Sequence, residues 1–536
     1  MTATQWFIFF LVIQVIHFLG TWKLYVKAGR QAWEAAIPVY NAIILMQIIN
    51  RPKWWVILLF IPIVNLFMFP VVWIETIRSF GKKSRLDSAL VILTLGFYIY
   101  YINYLTDVEY IKDRSLKPNS VFGDWVSSIA FAIIAATTVH TYIMQPYTIP
   151  SSSLEKSLLI GDFLFVSKFH YGARIPMTTV ALPMVHDTIP AIPVPFTKIK
   201  LTNKFKSYLF SDNFEKRETS WLNKLQLPYM RIPGFQKIKR NEIVVFNQPA
   251  DTLLDMNNFH PDRNYYKPID KKTNLVKRCV GIPGDSLSIV NGYVYINGKR
   301  TELPDRAKPQ WYFDVNTGGK ALSRNMLLNR LKVREGGQTR DGNYVLNLTD
   351  EDAARLSKNP LVKKIKKRIT PKGQGESSLF PHVASLNWNG DNYGPLYIPK
   401  KGATVKLDKK SLPLYKRVIS EYERNNLTIN GDDIYINGEL ATDYTFKQDY
   451  YWMMGDNRQN SLDARYWGFV PFDHVVGKPV LIWMSYDGGI FRNPRWERFF
   501  TTVHGEGKAT SFRYLVFGLI ALWLVYSNFI KKKKKA

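Results

Sequence analysis

Two stretches far apart in the chain each set a group capable of acyl-transfer chemistry beside a turn-forming sequence. Ile149-Pro150-Ser151-Ser152-Ser153-Leu154 is followed by Gly161-Asp162, and Val276-Lys277-Arg278-Cys279-Val280-Gly281-Ile282-Pro283-Gly284-Asp285 lies well downstream. A serine hydroxyl is a weak nucleophile at neutral pH unless a base takes its proton, and a lysine amine can be that base only when burial keeps it neutral. An unperturbed lysine, with a pKa of about 10.4, would be almost wholly charged. Leu275, Val276 and Val280 give Lys277 apolar flanks that supply part of the desolvation. A third stretch, Gly455-Asp456-Asn457-Arg458-Gln459-Asn460-Ser461-Leu462-Asp463-Ala464-Arg465-Tyr466-Trp467-Gly468, follows the apolar Tyr450 to Met454 and reads as a buried, self-satisfying loop. Its spacing lacks the central glycine and final glutamate of a calcium loop, so no metal is expected there. None of the eight histidines sits in a Gly-x-Ser-x-Gly elbow, and only His170 follows the serines closely.

These groups need elements to hold them. Glu242 to Phe246, Leu287 to Ile296 and Val480 to Met484 are β-branched or alternating runs bounded by Gly, Pro, Asn and Asp, which predicts strands. Ile289 to Gly298 and Leu427 to Gly438 repeat an Asn-Gly, short-strand, Asn-Gly pattern and are expected to be the first and last strands of one sheet, with Lys299 to Asn426 inserted between them. Thr349 and the acids after it suit a helix start inside that insert. A second insert, about Tyr171 to Lys239, is rich in Pro and aromatics; its Ile189, Ile192, Val194 and Phe196 could face a bilayer surface or pack on the sheet.

Apolar residues concentrate towards the two ends of the 536-residue chain. Trp125 to Met144, Trp54 to Ile74 and Tyr514 to Ile530 are long enough to cross most or all of a hydrocarbon core about 30 Å thick. Trp6 to Leu19 and Ala35 to Ile49 are expected spans as well, and Ala89 to Tyr104 is left open. The N-terminal run has no basic residue before it and no small-x-small site after it, so it is expected to stay as an anchor. Lys531 to Lys535, Arg78, Lys82, Lys83 and Arg85, and Lys23, Lys27 and Arg30 favour the cytoplasmic side. That places Gln145 to about Arg513 on the far side of the membrane, provided Ala89 to Tyr104 does not span fully. The net charge of +29 invites a nucleic-acid reading, yet the densest internal run, Lys363 to Arg368, has no aromatic platform. A solvated face or anionic lipid headgroups suit it better, and no nucleic-acid partner is expected. The single cysteine, Cys279, excludes an internal disulfide.

The three stretches in this order resemble the bacterial type I signal peptidases, membrane-bound Ser/Lys proteases that remove signal peptides. The resemblance implies a membrane-anchored, mainly β catalytic domain with an inserted second domain, several N-terminal transmembrane helices and one C-terminal helix. Carried over residue by residue, it implies Ser153 as nucleophile, Lys277 as general base, Ser151 at the oxyanion hole, Ser461 as the hydroxyl that hydrogen-bonds the lysine, and Asp463, Arg465 and Asp456 as support. Where the family usually has Gly-Ser-Met and a Pro-Thr pair, this chain has Ser152-Ser153-Leu154 and Lys156-Ser157. Loss of the glycine limits the backbone if that position needs positive φ. Three adjacent serines leave Ser152 as the alternative nucleophile, while Pro150 and Gly161-Asp162 favour Ser153.

The segment before the serines, Gln145 to Pro150, is extended by its prolines and could pair with an extended substrate, with Tyr147, Ile149 and Val276 shaping small apolar pockets; core packing explains Tyr147 and Ile149 equally well. The implied substrates are signal-peptide-bearing preproteins cut after small residues at Ala-x-Ala-like sites, with no cofactor or metal. The expected organisation is a multi-span region 1–121, a membrane helix 122–144, a catalytic β domain 145–298 and 427–490, an inserted domain 299–426, a linker 491–513, a membrane helix 514–530 and a basic cytoplasmic tail 531–536. The expected location is the bacterial inner membrane, with the catalytic domain on its outer face. The additional spans could dock the translocation machinery or serve only as anchors in membrane lipid. The rival reading is a catalytically idle membrane-anchored protein that holds exported precursors; a soluble self-cleaving Ser/Lys peptidase would lack the anchors.

Overall fold

The computed structural model describes residues 1–117, 121–179, 181, 225–249, 253–255, 258–259, 268–489 and 491–530. Ile189, Ile192, Val194, Phe196, His186, His260 and the tail Lys531 to Lys535 lie outside the described residues. Two compact units result, one from 1–143, 173–232 and 251–272, the other from 144–172, 233–250 and 273–536.

In the first unit Ala3–Lys27 is one 25-residue helix, begun by a reciprocal cap in which the Thr2 side chain accepts from Gln5 N and the Gln5 side chain accepts from Thr2 N. It and the 23-residue Val121–Ile143 are long and apolar enough to cross a membrane. Phe7, Ile8 and Val15 on one and Phe122, Trp125 and Phe131 on the other are exposed, as side chains that face lipid would be. Arg85–Leu93 and Tyr98–Leu105 form a pair bent by 117°, so Ala89 to Tyr104 is not one straight span. Counting that pair, there are two to three candidate membrane helices among the described residues, and all precede the β region.

Two expected spans need correction. Ala35 to Ile49 holds only the nine-residue helix Tyr40–Ile48, roughly 14 Å long at about 1.5 Å per residue. Trp54 to Ile74 is divided between Trp55–Phe60 and Asn65–Ser79, because Ile61 leaves helical dihedrals at ψ 114° and Ile63 takes φ 70°. Apolar length alone could not reveal that break. The buried carboxylate of Glu75 gathers Arg51 at 3.0 Å, Arg78 at 3.2 Å and Arg114, whose Nη2 also donates to Ile49 O at 2.9 Å, which ties the following segment to this helix.

The second unit is built on an eight-stranded antiparallel sheet in the order Met144–Thr148, Asp162–Ser167, Val475–Ser485, Ile243–Asn247, Asn274–Gly281, Tyr450–Met454, Val470–Pro471, with Thr501–Thr502 beside Val475–Ser485. The period-two alternation of a strand sorts its side chains: Val244 and Phe246 enter one apolar cluster with Cys279 and Met453, while Ile243 and Val245 enter another with Leu154, Leu164 and Val166. Three sequence stretches more than a hundred residues apart therefore become neighbours. Asn274–Gly281 lies between Ile243–Asn247 and Tyr450–Met454, so Lys277 and the start of the Gly455 loop come from adjacent strands.

Residues 299–426 divide in two. Gly336–Gln338, Tyr344–Leu348, Trp311–Asn316 and Lys364–Lys367 make a four-stranded antiparallel sheet with its own core of Trp311, Phe313, Leu346, Leu348 and Leu356. The helix Asp350–Leu356 starts where the sequence predicts it, with Thr349 accepting from Asp352 N at 3.0 Å. Leu379, Phe380, Tyr415 and Ile419 instead pack with Tyr450, Trp452 and Phe469 of the catalytic sheet region. The two Asn-Gly repeats do not close one sheet. Ser286–Val290 and Tyr293–Ile296 pair with Lys299–Arg300 and Tyr393–Tyr397, whereas Leu427–Asn430, Asp433–Ile436 and Glu439–Leu440 form a separate three-stranded sheet. Similar hairpin sequences specify similar turns, and Leu287, Ile289 and Ile434 share one apolar cluster without sharing hydrogen bonds.

Gly161 fixes the turn behind the serines. Its φ is +85°, and a Cβ there would lie 2.1 Å from the O of Tyr486, whose N donates to Gly161 O at 3.0 Å. Gly161→Ala is expected to cost at least about 2 kcal/mol, read as a lower thermal midpoint of the detergent-purified chain.

Candidate active site

The serine segment is pinned at both ends. Ile149 N donates to Asp162 O and Gly161 N to Ile149 O, both at 2.9 Å, and the side chains of Leu154 and Leu158 are buried. Between them Ser152–Leu154 forms one 3-10 turn. Ser152 does not take positive φ, so the missing glycine costs nothing in the backbone. Lys156 does, at φ 67°, a value that proline at the same place could not reach. Its amine is held by Leu331 O at 3.0 Å and by the Asp352 carboxylate.

Lys277 is 5% exposed, and its Nζ lies 2.6 Å from Ser153 Oγ. Ser151 Oγ stands 3.4 Å from Ser153 Oγ on the solvent side. Ser152 points elsewhere, with its Oγ accepting from Asn460 Nδ2 at 3.3 Å. Burial pushes the Lys277 amine down to about 8, against the attraction of Asp463. Ser461 Oγ is buried and makes no hydrogen bond, so the expected bond to Lys277 is not present in this arrangement. Gly455 explains how closely these parts meet: a Cβ on it would lie 2.2 Å from Ser461 Oγ and 2.5 Å from Ser153 O.

Two buried ion pairs brace the loop. Arg278, next to Lys277 on the strand, donates from Nε and Nη2 to Asp456 at 2.7 and 2.6 Å, and Ser157 Oγ donates to the same carboxylate at 2.5 Å. Arg465 donates from Nε and Nη2 to Asp463 at 2.9 and 2.8 Å, and Asp463 accepts from Gly455 N at 3.0 Å. Burial opposes ionisation of both carboxyls, yet Arg278 and Arg465 hold Asp456 and Asp463 below the usual carboxylate range. Asp456, Asp463 and Arg465 do not bond Ser153 or Lys277.

No sequence pattern marks the groups of residues 299–426 that hold this loop. Gln310 N donates to Asp456 O, Gln310 O accepts from Arg458 N, and Gln310 Nε2 donates to Glu155 O, at 2.8, 3.0 and 2.6 Å. Asn347 Nδ2 donates to Asn457 Oδ1 at 2.8 Å, while Glu335 accepts from Asn457 and Asn460 at 2.9 and 2.8 Å. Asn457 N in turn donates to Ser153 O at 3.1 Å. These are lone polar residues without a motif, legible only once their partners are known. Ser157, noted in the sequence only as a departure, joins Asp456 to Arg278.

Among the pocket candidates Ile149 is 4% exposed in the apolar cluster, and Tyr147 and Val276 are half-buried at its edge. His170 contacts Ser167 Oγ at 2.7 Å and Phe235 rather than Ser153. Among the described residues no group of three His, Cys, Asp or Glu is placed to hold a metal ion.

Comparison with known proteins fits this geometry. Residues 122–346 and 401–484, more than half the chain, match the family described as signal peptidase, peptidase S26. The chain belongs to this signal peptidase I family of serine peptidases, and is a hydrolase. Curated relatives named signal peptidase I include those of Buchnera aphidicola from Acyrthosiphon pisum, 22% identical over 72% of this chain and 85% of the relative; of Haemophilus influenzae, 22% over 73% and 79%; and of Helicobacter pylori strain 26695, 23% over 72% and 92%. The family match is interrupted at 347–400, inside the expected insert. Residues 33–113 match a family of unknown function, DUF5684.

Removing one partner of the Arg278–Asp456 pair leaves a buried uncompensated charge. Asp456→Ala is expected to lose about 3–5 kcal/mol in denaturant unfolding, and the double variant Arg278→Met with Asp456→Leu to regain most of it.

Proposed function

We propose that the chain removes N-terminal signal peptides from exported preproteins with Ser153 as nucleophile and Lys277 as general base. The observation that carries this is the 2.6 Å approach of Lys277 Nζ to Ser153 Oγ, with an amine shifted by burial towards its neutral form. Neutral Lys277 takes the hydroxyl proton as Ser153 Oγ bonds to the scissile carbonyl carbon. The carbonyl oxygen becomes an oxyanion, met by the Ser153 N–H and the Ser151 hydroxyl. As the tetrahedral species collapses the C–N bond breaks, and the lysine ammonium gives its proton to the departing amine of the mature protein. Lys277, neutral again, deprotonates a water that attacks the acyl carbon; the C–Oγ ester bond then breaks, the lysine ammonium returns the proton to Ser153 Oγ, and the signal peptide leaves with a free carboxyl group that ionises in water. Asp456, Asp463 and Arg465 act by holding the loop, and Ser461 is the hydroxyl that would turn to bond the amine. No cofactor takes part in this scheme.

Cleavage after small residues is proposed on the narrow, half-buried edge formed by Tyr147 and Val276 beside Ile149. The proposed organisation keeps 1–121 and 122–144 as membrane region and helix, 145–298 with 427–490 as catalytic domain, 299–426 as insert, 491–513 as linker, 514–530 as a C-terminal membrane helix and 531–536 as a basic tail. The apolar Arg513–Asn528 supports that last helix, at roughly 24 Å for its length. The basic flanks favour the bacterial inner membrane, catalytic domain outside and tail inside. Signal-peptide-bearing preproteins and membrane lipid are the partners; the additional N-terminal helices are candidates for contact with the translocation machinery, and nucleic acid is not a partner. The idle-binder alternative loses force because both reacting groups are present and within hydrogen-bond reach.

The test is cleavage of a secretory precursor bearing an Ala-x-Ala site by detergent-purified protein, with products read by mass. Ser153→Ala is expected to lower the rate at least about 10⁴-fold, and Lys277→Arg, which stays charged, by as much. Ser152→Ala should retain most activity; the reverse pattern would move the nucleophile to Ser152.

A further inference from the structure

A cavity of about 190 Å³ lies in the second unit between the Tyr293–Arg300 hairpin and the sheet that contains Trp311, and neither Ser153 nor Lys277 lines it. Its wall includes Arg300, Lys308, Trp311, Asp350, Glu351 and Arg458. The two carboxylates already have cations: Asp350 pairs with Lys367, and Glu351 with Lys308 at 3.4 Å. Arg300 and Arg458 have no carboxylate within ion-pair distance among the described residues. Arg300 is exposed and lies 3.8 Å above the Tyr293 ring. Arg458 is 4% exposed, its Nε has no partner, and its Nη1 reaches only the Met454 thioether at 4.0 Å.

The carboxylates nearest in sequence, Asp456 and Asp463, are committed to Arg278 and Arg465. Trp311 Nε1, in the same wall, is a second buried donor without an acceptor. A buried guanidinium that makes no ion pair of its own is costly, and donors shut from water are costly as well.

We propose that this cavity binds a small oxyanion of the phosphate class, with Arg458 and Arg300 supplying charge and Trp311 a neutral donor. Several donors of different direction suit a tetrahedral oxyanion, which offers acceptors on every side, and the volume admits one with accompanying water. Burial pulls the Arg458 guanidinium down to about 10, against the attraction of Asp456 and Asp463. Arg458 N bonds Gln310 O, so an anion here would clamp residues 299–426 onto the Gly455 loop. The site does not depend on which serine is the nucleophile.

The test uses the full chain in detergent, titrated with inorganic phosphate at constant ionic strength against sodium chloride, and separately with dihexanoyl phosphatidylglycerol. Phosphate is expected to raise the thermal midpoint saturably, with half-saturation at least tenfold higher in Arg300→Gln and in Arg458→Gln. Saturation by the lipid alone, weakened in the same variants, would assign the phosphate to a headgroup. If Arg458→Gln fails to fold, Arg300→Gln and Trp311→Phe decide. A shift that does not saturate with either probe, or one unchanged in Arg300→Gln, overturns the proposal.

Discussion

The second unit is organised around one unfavourable requirement, a lysine amine kept out of water beside a serine. Lys277 can be neutral near physiological pH only if desolvation outweighs the attraction of the carboxylates around it, and Asp463 and Asp456 both pull the other way. The fold answers by giving each carboxylate its own guanidinium. Arg465 and Arg278 take up Asp463 and Asp456 through paired short hydrogen bonds, so negative charge near the amine is largely matched in place. Ion pairs this deep do not by themselves favour folding. Here they let charge sit close to Lys277 without fixing its proton.

That arrangement in turn demands a loop of small, close-packed parts. Gly455 admits Ser461 and the Ser153 carbonyl to a distance that any side chain would block, and Asp463 accepts the Gly455 N–H. The backbone of Ser153 is held through Asn457, which is held through Asn347 and Glu335. Residues 299–426 thus reach the serine backbone through a chain of hydrogen bonds. Such chains are rigid only while every member is satisfied.

The residues that meet at the candidate site were legible because their types are rare in combination: a serine after proline, a lysine inside an apolar strand, and a dense polar loop after Tyr450 to Met454. Strands such as Ile243–Asn247 were legible from β-branched runs, and the helix at Asp350 from its cap. Membrane helices were only half legible. Ala3–Lys27 and Val121–Ile143 follow their apolar runs, but the break at Ile61 to Val64 depends on dihedrals that composition does not encode. Gln310, Asn347 and Glu335 were invisible because a single amide or carboxylate gains meaning only from a partner distant in sequence. The two Asn-Gly hairpins misled for a related reason: local sequence sets a turn, while the sheet it joins is decided by long-range packing.

The proposed chemistry depends on the protonation state of one amine, and the pH dependence of kcat/KM for a preprotein substrate reads it most directly. A base is competent only when deprotonated, so the rate must climb as pH rises through the free enzyme's lysine pKa and then level off. With Lys277 brought down to about 8 by burial, the expected profile is low at pH 6, half-maximal near pH 8 and flat above about pH 9. A profile independent of pH from 6 to 9, or one still rising steeply above about pH 10 as an unperturbed lysine would give, contradicts the account.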